Sequence, residues 1–252
     1  MDLSNTAAIV TGGASGLGAA TAAALAARGA DVYALDLASQ LETAEDFARI
    51  TYVSCDVTDG DEVARAVAAA SASASPLRIV VNCAGIALAS RILSRSVPHD
   101  LQLFARVVNV NLCGTFNVMT LAASAIAETT PDENGQRGVV VNTSSVAAFD
   151  GQVGQVAYAA SKGAIAALCL PAARDLGQYG IRVCTIAPGI MDTPMLATVS
   201  DEVRARLSEG IPFPSRLGRA EEYAQLALMI IDHDYLNGET IRMDGALRMA
   251  PR

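Results

Sequence analysis

The sequence predicts an α/β protein built on one doubly wound parallel sheet with helices on both faces. Three observations predict it. Short, nearly continuous apolar runs alternate with helical patterns along the 252 residues, as strands buried on both faces require. A glycine-rich turn joins the first run to the first helical stretch. The polar residues that stand out all fall at the carboxyl end of a run or on the helix after it, where open α/β sheets bind ligands.

Taken in order, residues 7–10 form an apolar strand that breaks at Thr11-Gly12-Gly13. Residues 19–27 form an alanine-rich helix stopped by Gly29, and a second strand at 32–35 ends on Asp36. Further strands are expected at 50–53, 79–81, 139–141, 183–186 and 240–243, with helices at about 59–71, 101–127, 157–176 and 220–232. No Pro/Gly/Ser-rich linker, low-complexity tract or repeat interrupts this alternation, so residues 1–252 are expected to form a single domain.

Composition narrows the function. Apolar residues make up 52% of the chain and charged ones 17%, enough for a large core and too apolar for disorder. No uninterrupted apolar run reaches the ~18 residues of a membrane span, and Met1-Asp-Leu-Ser-Asn leads at once into a strand, leaving no room for a targeting peptide. The expectation is a soluble, cytoplasmic protein. A net charge of −8 and a pI near 4.7 argue against nucleic acid or an anionic membrane as partner. The five cysteines (Cys55, Cys83, Cys113, Cys169, Cys184) are scattered, four in apolar surroundings, and read as reduced thiols. With only His99 and His233, each without a nearby partner, no metal site is expected.

Two groups of residues carry chemistry. Gly12-Gly-Ala-Ser-Gly16-Leu-Gly18 spaces glycines between a strand and a helix, so that the backbone can approach a pyrophosphate held by the helix N-terminus. It lacks the Gly-Lys-Ser/Thr of a phosphoryl-transfer loop. Asp36 follows Gly18 by 18 residues, near the spacing of an acid that binds an adenosine ribose, and no lysine or arginine flanks it to accept a 2′-phosphate. Asp56-Val57 is placed to frame an adenine, and Asn82-Cys83-Ala84-Gly85 to let a cofactor cross the strand tips. The second group is Tyr158 and Lys162, four apart on a helix and so on one face, with Ser145 thirteen residues upstream at a strand end. A cation about 4 Å from a phenol favours its ionised form by roughly 4 kcal/mol at an effective dielectric of about 20, which brings a tyrosine toward acid–base work.

The Gly12/Gly16/Gly18 turn, Asn82-Cys-Ala-Gly85, Asn111, Ser145, Tyr158, Lys162 and Pro188-Gly189 together resemble the short-chain dehydrogenase/reductase family over essentially the whole chain. Cys83 departs from the asparagine more usual there. Val146-Ala-Ala-Phe-Asp-Gly-Gln-Val-Gly-Gln155, Ile211-Pro-Phe-Pro-Ser-Arg-Leu-Gly218 and Asp244-Gly-Ala-Leu-Arg-Met249 are similar to the type 2 3-hydroxyacyl-CoA dehydrogenases, also described as 17-beta-hydroxysteroid dehydrogenases. This resemblance implies a Rossmann-type, NAD-dependent homotetramer acting on short 3-hydroxyacyl-CoA esters and, more loosely, hydroxysteroids. In the roles it implies, Tyr158 is the acid/base, Lys162 binds the nicotinamide ribose and lowers the tyrosine pKa, Ser145 orients the substrate oxygen, and Asn111 holds a water joining Lys162 to solvent. Ser144 is the alternative to Ser145, but strand neighbours point to opposite faces and the family's thirteen-residue gap selects Ser145. Asn109 cannot share a helix face with Asn111, and Asn111 matches the family position. The implied cofactor contacts are Gly12, Ser15, Gly16, Leu17, Gly18, Asp36, Asp56, Val57, Asn82, Cys83, Ala84, Gly85, Tyr158, Lys162, Pro188, Gly189 and Met191.

Residues 190–214 are expected to cover the substrate, with Met191, Met195, Leu196 and Phe213 lining an apolar pocket. Arg204, Arg206 and Arg216 either meet CoA phosphates at its mouth or pair with Asp201, Glu202 and Glu209. The rival readings are a hydroxysteroid dehydrogenase, a 3-oxoacyl-carrier-protein reductase, against which Asp36 argues, and an NAD-binding scaffold subunit without turnover. Finally, 101–127 and 157–176 carry apolar residues on more of their circumference than one sheet face buries. Small residues (Ala159, Ala160, Gly163, Ala166, Ala167) would let helices of two subunits approach, and closed symmetric assembly is the commonest solution.

Overall fold

The computed structural model describes residues 1–196 and 200–251. Seven strands form the central sheet: β1 (Ala7–Thr11), β2 (Asp31–Asp36), β3 (Ile50–Ser54), β4 (Leu77–Asn82), β5 (Gly138–Thr143), β6 (Ile181–Pro188) and β7 (Thr240–Met243). Their spatial order is β7-β6-β5-β4-β1-β2-β3, and every pairing is parallel. The expected doubly wound sheet is present. The winding reverses between β1 and β4, and the crevice of such a sheet opens there, beyond the carboxyl ends.

Alternation along the strands feeds two cores. Ala8, Val10, Ile79, Val81, Val139 and Val141 face one way, onto α1 (Gly16–Ala27) and α7 (Ala220–Asp232). Ile9, Val80, Val140 and Val183 face the other way, onto α2 (Gly60–Ser71), α4 (Gly114–Ala127) and α5 (Val156–Gly177). This is why the strands read as unbroken apolar runs. α2 starts where Asp59 accepts from the N–H groups of Asp61 and Glu62, each at 2.9 Å, an acidic N-cap worth about 1 kcal/mol.

Three features differ from the sequence expectation. The helix expected over 101–127 is α3 (Leu101–Val108), one wider π-helical turn at Asn109–Cys113, and then α4; such turns concentrate at functional sites. A two-residue hairpin joins Leu93–Ser94 to Val97–Pro98. The stretch 190–214 is not a bare cover: Met191–Asp192 pairs with Gly218–Arg219, and α6 spans Asp201–Glu209. Residues 197–199 of that stretch lie outside the described residues. All five cysteines are free; Cys113, on the π-helical turn, is exposed.

Candidate active site

The strand register brings the site together. Thr11 is opposite both Leu35 and Asn82, and Asn82 is opposite Asn142, so the tips of β1, β2, β4 and β5 end at one level. Thr11 Oγ1 accepts from the N–H groups of Cys83 and Ala84, both at 3.1 Å, and ties the β1 turn to the β4 exit.

The glycine turn is too tight for side chains. Gly12 has φ +64°, and a Cβ there would lie 3.0 Å from the Ala84 nitrogen. A Cβ on Gly18 would collide with the Gly12 carbonyl oxygen. Ser15 occupies the N-cap of α1 without a side-chain bond to the first turn, which leaves N–H donors and the positive end of the helix facing the crevice. Leu17 packs on the core beneath. Asp36 reaches back to this turn: its carboxylate accepts from Ala14 N at 3.0 Å and from Leu37 N at 2.9 Å. A carboxylate has about four acceptor positions, so two remain for ribose hydroxyls.

On the far side of the crevice, Ser144 and Ser145 part company. Ser144 Oγ donates to the Lys162 carbonyl at 2.7 Å and is buried, a tie between β5 and α5. The Ser145 hydroxyl sits beside the Tyr158 phenol, where it favours the ionised form, and it accepts from Ala147 N at 3.1 Å. Lys162 is 4% exposed, and its ammonium donates to the Thr143 carbonyl at 2.8 Å. Asn111 is fully buried at the π-helical turn, while Asn109 faces solvent. The Asn111 side chain accepts from Ile86 N at 2.8 Å and donates to Ile86 O at 2.9 Å and Ser161 Oγ at 3.0 Å; Ser161 Oγ in turn donates to the Tyr158 carbonyl at 2.8 Å. Gly85 closes over the pair, since a Cβ there would lie 3.1 Å from Asn111 Oδ1 and 3.5 Å from Lys162 Nζ. On the last side, Gly189 N donates to Met243 O at 2.9 Å, which sets Pro188-Gly189 at the tip of β6.

Several expectations need correction. Lys162 does not lower the Tyr158 pKa here. Its ammonium is turned to the Thr143 carbonyl and lies 5.9 Å from the phenol ring centre. Burial pushes Tyr158 above the ordinary tyrosine value, partly offset by the Ser145 hydroxyl. Burial also holds Lys162 down at about 8. The Asn82 side chain points away from the crevice, donating to Asn142 Oδ1 at 2.9 Å and buried. Cys83 Sγ lies under the strand tip against Tyr223 Oη and Thr143 Oγ1, both at 3.7 Å. Ala84-Gly85 are therefore the part of that motif that faces a ligand. Val57 is buried against Gly114, and the Asp56 carboxylate is engaged by Thr58 N at 2.9 Å and Thr58 Oγ1 at 2.8 Å, so only backbone and one carboxylate edge can frame an adenine. Met191 is a core residue, 7% exposed and seated on Gly218. Arg204 pairs with Asp192 and Arg216 with Glu222, each at 2.6 Å, two acids that were not among those expected. Thr143 and Ser161, which hold Lys162 and Asn111, carried no signal beyond their places beside Ser144 and Lys162.

The cradle fits a nicotinamide dinucleotide: a turn that refuses Cβ atoms, a free helix N-terminus, a carboxylate at the tip of β2, and an ammonium and a phenol at the tip of β5. A doubly wound sheet with these groups at its switch point defines a nicotinamide-dependent oxidoreductase. Residues 6–204 match the model of the short chain dehydrogenase family, and the chain belongs to that family. It is 50% identical to a 3-hydroxyacyl-CoA dehydrogenase type-2 of Drosophila melanogaster, over 99% of this chain and 100% of that one. It is 49% identical to the Homo sapiens protein of the same name, over 97% and 95%. The crystal structure of a 3-hydroxyacyl-CoA dehydrogenase type-2 from Mycobacterium avium superposes with a TM-score of 0.91 at 42% identity, covering 98% of each chain.

Proposed function

We propose that the protein is an NAD-dependent dehydrogenase interconverting 3-hydroxyacyl-CoA and 3-oxoacyl-CoA. The observation that carries this reading is the Ser145–Tyr158 pair at the tip of β5, in a chain half identical along its length to proteins bearing that name. When bound, the nicotinamide supplies the hydride acceptor or donor. The chain's residues do the rest. Ser145 holds the substrate oxygen, Tyr158 takes or gives its proton, and the Lys162 ammonium orients a ribose. Asn111 holds Lys162's neighbourhood by joining the β4 exit to Ser161. Met195 and Phe213, 54% and 82% exposed near the tip of β6, offer apolar surface to an acyl chain; a polyol would leave hydroxyls unpaired there, at about 1–3 kcal/mol each. The same surface suits a steroid, which we rank second.

Asp36 supports NAD over NADP. A 2′-phosphate would place nearly two negative charges against its carboxylate, and at an effective dielectric of about 20 each unit pair at 4 Å costs about 4 kcal/mol. Initial rates on acetoacetyl-CoA, a hydroxysteroid and a sugar alcohol, each with NADH/NAD and NADPH/NADP, test both readings. The expected result is highest kcat/KM on acetoacetyl-CoA with NADH, favoured over NADPH by a factor on the order of 100, about 2.7 kcal/mol, because Asp36 is only half-buried and solvent screens most of that repulsion. Equal efficiency with NADPH defeats the coenzyme assignment. A wide lead for the steroid reverses the substrate ranking, and one for the sugar alcohol rejects the apolar pocket.

We further propose a homotetramer. Leu101–Ala127 and Val156–Gly177 are long and apolar enough to cross a membrane by length and composition, yet only 44% and 39% of their most apolar stretches are buried within the chain. An apolar groove between α4 and α5, lined by Phe116, Met119, Ala123, Ala172, Leu176 and Tyr179, is the surface a second copy would cover. Light scattering at micromolar concentration is expected to give four times the 26.0 kDa chain mass; a monomer mass rejects the assembly.

A further inference from the structure

The segment between Ser145 and Tyr158 is held from behind by the end of the chain. After a single 3-10 turn at Val146–Ala148 it runs without regular structure from Asp150 to Gln155. Arg242, on β7, places Nη2 2.6 Å from the Asp150 carboxylate and 2.8 Å from that of Asp244. The same guanidinium donates to Leu247 O at 3.1 Å and lies over the Phe149 ring, 5.4 Å from its centre. The tail adds two ties: Gln152 Nε2 to Ala250 O at 2.9 Å and Val153 N to Pro251 O at 3.1 Å.

The other side of this segment is a wall. Gly151 to Val156 line a cleft of about 400 Å³, closed opposite by Arg91, Ile92 and Leu93 of the hairpin and reaching Ala159, the residue after Tyr158. Gly154 is fastened independently, by Ser90 N at 2.8 Å. Within the segment, Asp150 N donates to Val146 O at 2.9 Å and Gln152 N to Gln155 Oε1 at 3.1 Å, but the long-range hydrogen bonds of Asp150, Gln152 and Val153 all run to Arg242 or the tail. The ion pairs are not ordinary surface pairs, because Arg242 is 23% exposed at its side chain, Asp150 20% and Asp244 8%. The guanidinium holds the Asp150 carboxyl below the usual carboxylate range, and the carboxylates raise the arginine further, so the charges persist at any working pH.

We propose that Arg242 is a positioning residue, that with the Ala250–Pro251 tail it clamps the 149–153 segment so that this wall of the cleft stands at a fixed distance from Tyr158, and that the cleft takes part of the substrate. The clamp rests on the dehydrogenase reading for its effect on turnover, but not for its existence. Losing it leaves the reacting groups in place, since Ser145, Tyr158 and Lys162 keep their own ties to β5 and α5. The wall would loosen, and substrate binding would suffer before the chemistry.

The test uses Asp150→Asn and, separately, a chain ending at Arg248, with amide hydrogen exchange and steady-state kinetics on the best substrate of the panel above. Both variants are expected to speed exchange in 149–155 about tenfold while α1 exchanges as in wild type, and to raise KM about tenfold with kcat within about threefold. The inclusion of α1 separates a loosened wall from a misfolded protein, and two variants guard against one failing to fold. Unchanged exchange at 149–155 in both overturns the clamp. Faster exchange with unchanged KM overturns its role at the cleft. If acyl-CoA is not turned over at all, the substrate reading fails, while exchange at 149–155 still decides the clamp.

Discussion

Replacing Tyr158 by phenylalanine is expected to lower kcat by a factor on the order of 1,000, with coenzyme affinity unchanged. The substitution removes one hydroxyl and keeps the ring. What it takes away is the phenol paired with Ser145, the group placed to carry the proton. What it leaves are the Lys162–Thr143 bond at 2.8 Å and the Asn111–Ser161 bond at 3.0 Å, which use no part of the phenol, and the glycine cradle on the opposite side of the crevice. KM for the substrate is therefore expected to move little, the pattern of a lost transition-state interaction and not of lost ground-state binding. Because burial raises the phenol's pKa, alcohol oxidation by the wild type should accelerate as pH rises toward that value and more of the base form appears. The Phe variant, lacking the group, should show no such rise. Near-normal turnover by the variant at every pH, measured with coenzyme binding followed in parallel, removes Tyr158 from the chemistry.

The sheet was legible because it obeys a simple rule. A strand covered on both faces is apolar throughout, and the inner strands announced themselves that way, while the edge strands β3 and β7 are only partly buried and less uniformly apolar; the observed bounds differ by at most two residues at either end. The positions of the reacting groups followed from topology, since carboxyl ends of parallel strands share one edge. Side-chain direction was not legible. Asn82, Cys83, Val57 and Met191 all lie where a ligand passes, yet each turns its side chain into the core or toward a neighbouring strand. Which of two alternating faces a residue takes at a strand tip depends on where the pleat ends, and no local pattern records that. The Tyr158–Lys162 spacing correctly put both on one helix face, but the ammonium prefers the carbonyl of Thr143, a residue whose role depends on packing between β5 and α5. The Asp150–Arg242 pair was invisible for a related reason: 92 positions separate its members, and only the closed fold brings them to contact.

Lys162→Met is expected to do two opposite things. Turnover and coenzyme affinity should fall together, because the ammonium is the cation placed to hold the ribose, and with it the nicotinamide, in this reading. Without added coenzyme, however, the pH dependence of stability should change in the variant's favour at neutral pH. Burial depresses Lys162 from 10.5 to about 8 in the folded chain. Below pH 8 the ammonium is charged in both folded and unfolded chains, and keeping it buried costs stability. Between about 8 and 10.5 the unfolded chain binds more protons than the folded one, so stability rises with pH across that window. Raising the pH from 7 to 10 should thus give the wild type a gain, over the variant, on the order of 2 to 3 kcal/mol, since each pH unit inside the window contributes about 1.36 kcal/mol. A comparison between the two proteins cancels the other titrating groups, and it is insensitive to the pH-independent loss of the donor to Thr143 O, about 1–3 kcal/mol on its own. Urea denaturation of both proteins at the two pH values decides it. Parallel curves, with no differential gain, would mean that Lys162 titrates normally and is not held in a desolvated site. Retained coenzyme affinity in the variant would mean that the ammonium does not face the ribose.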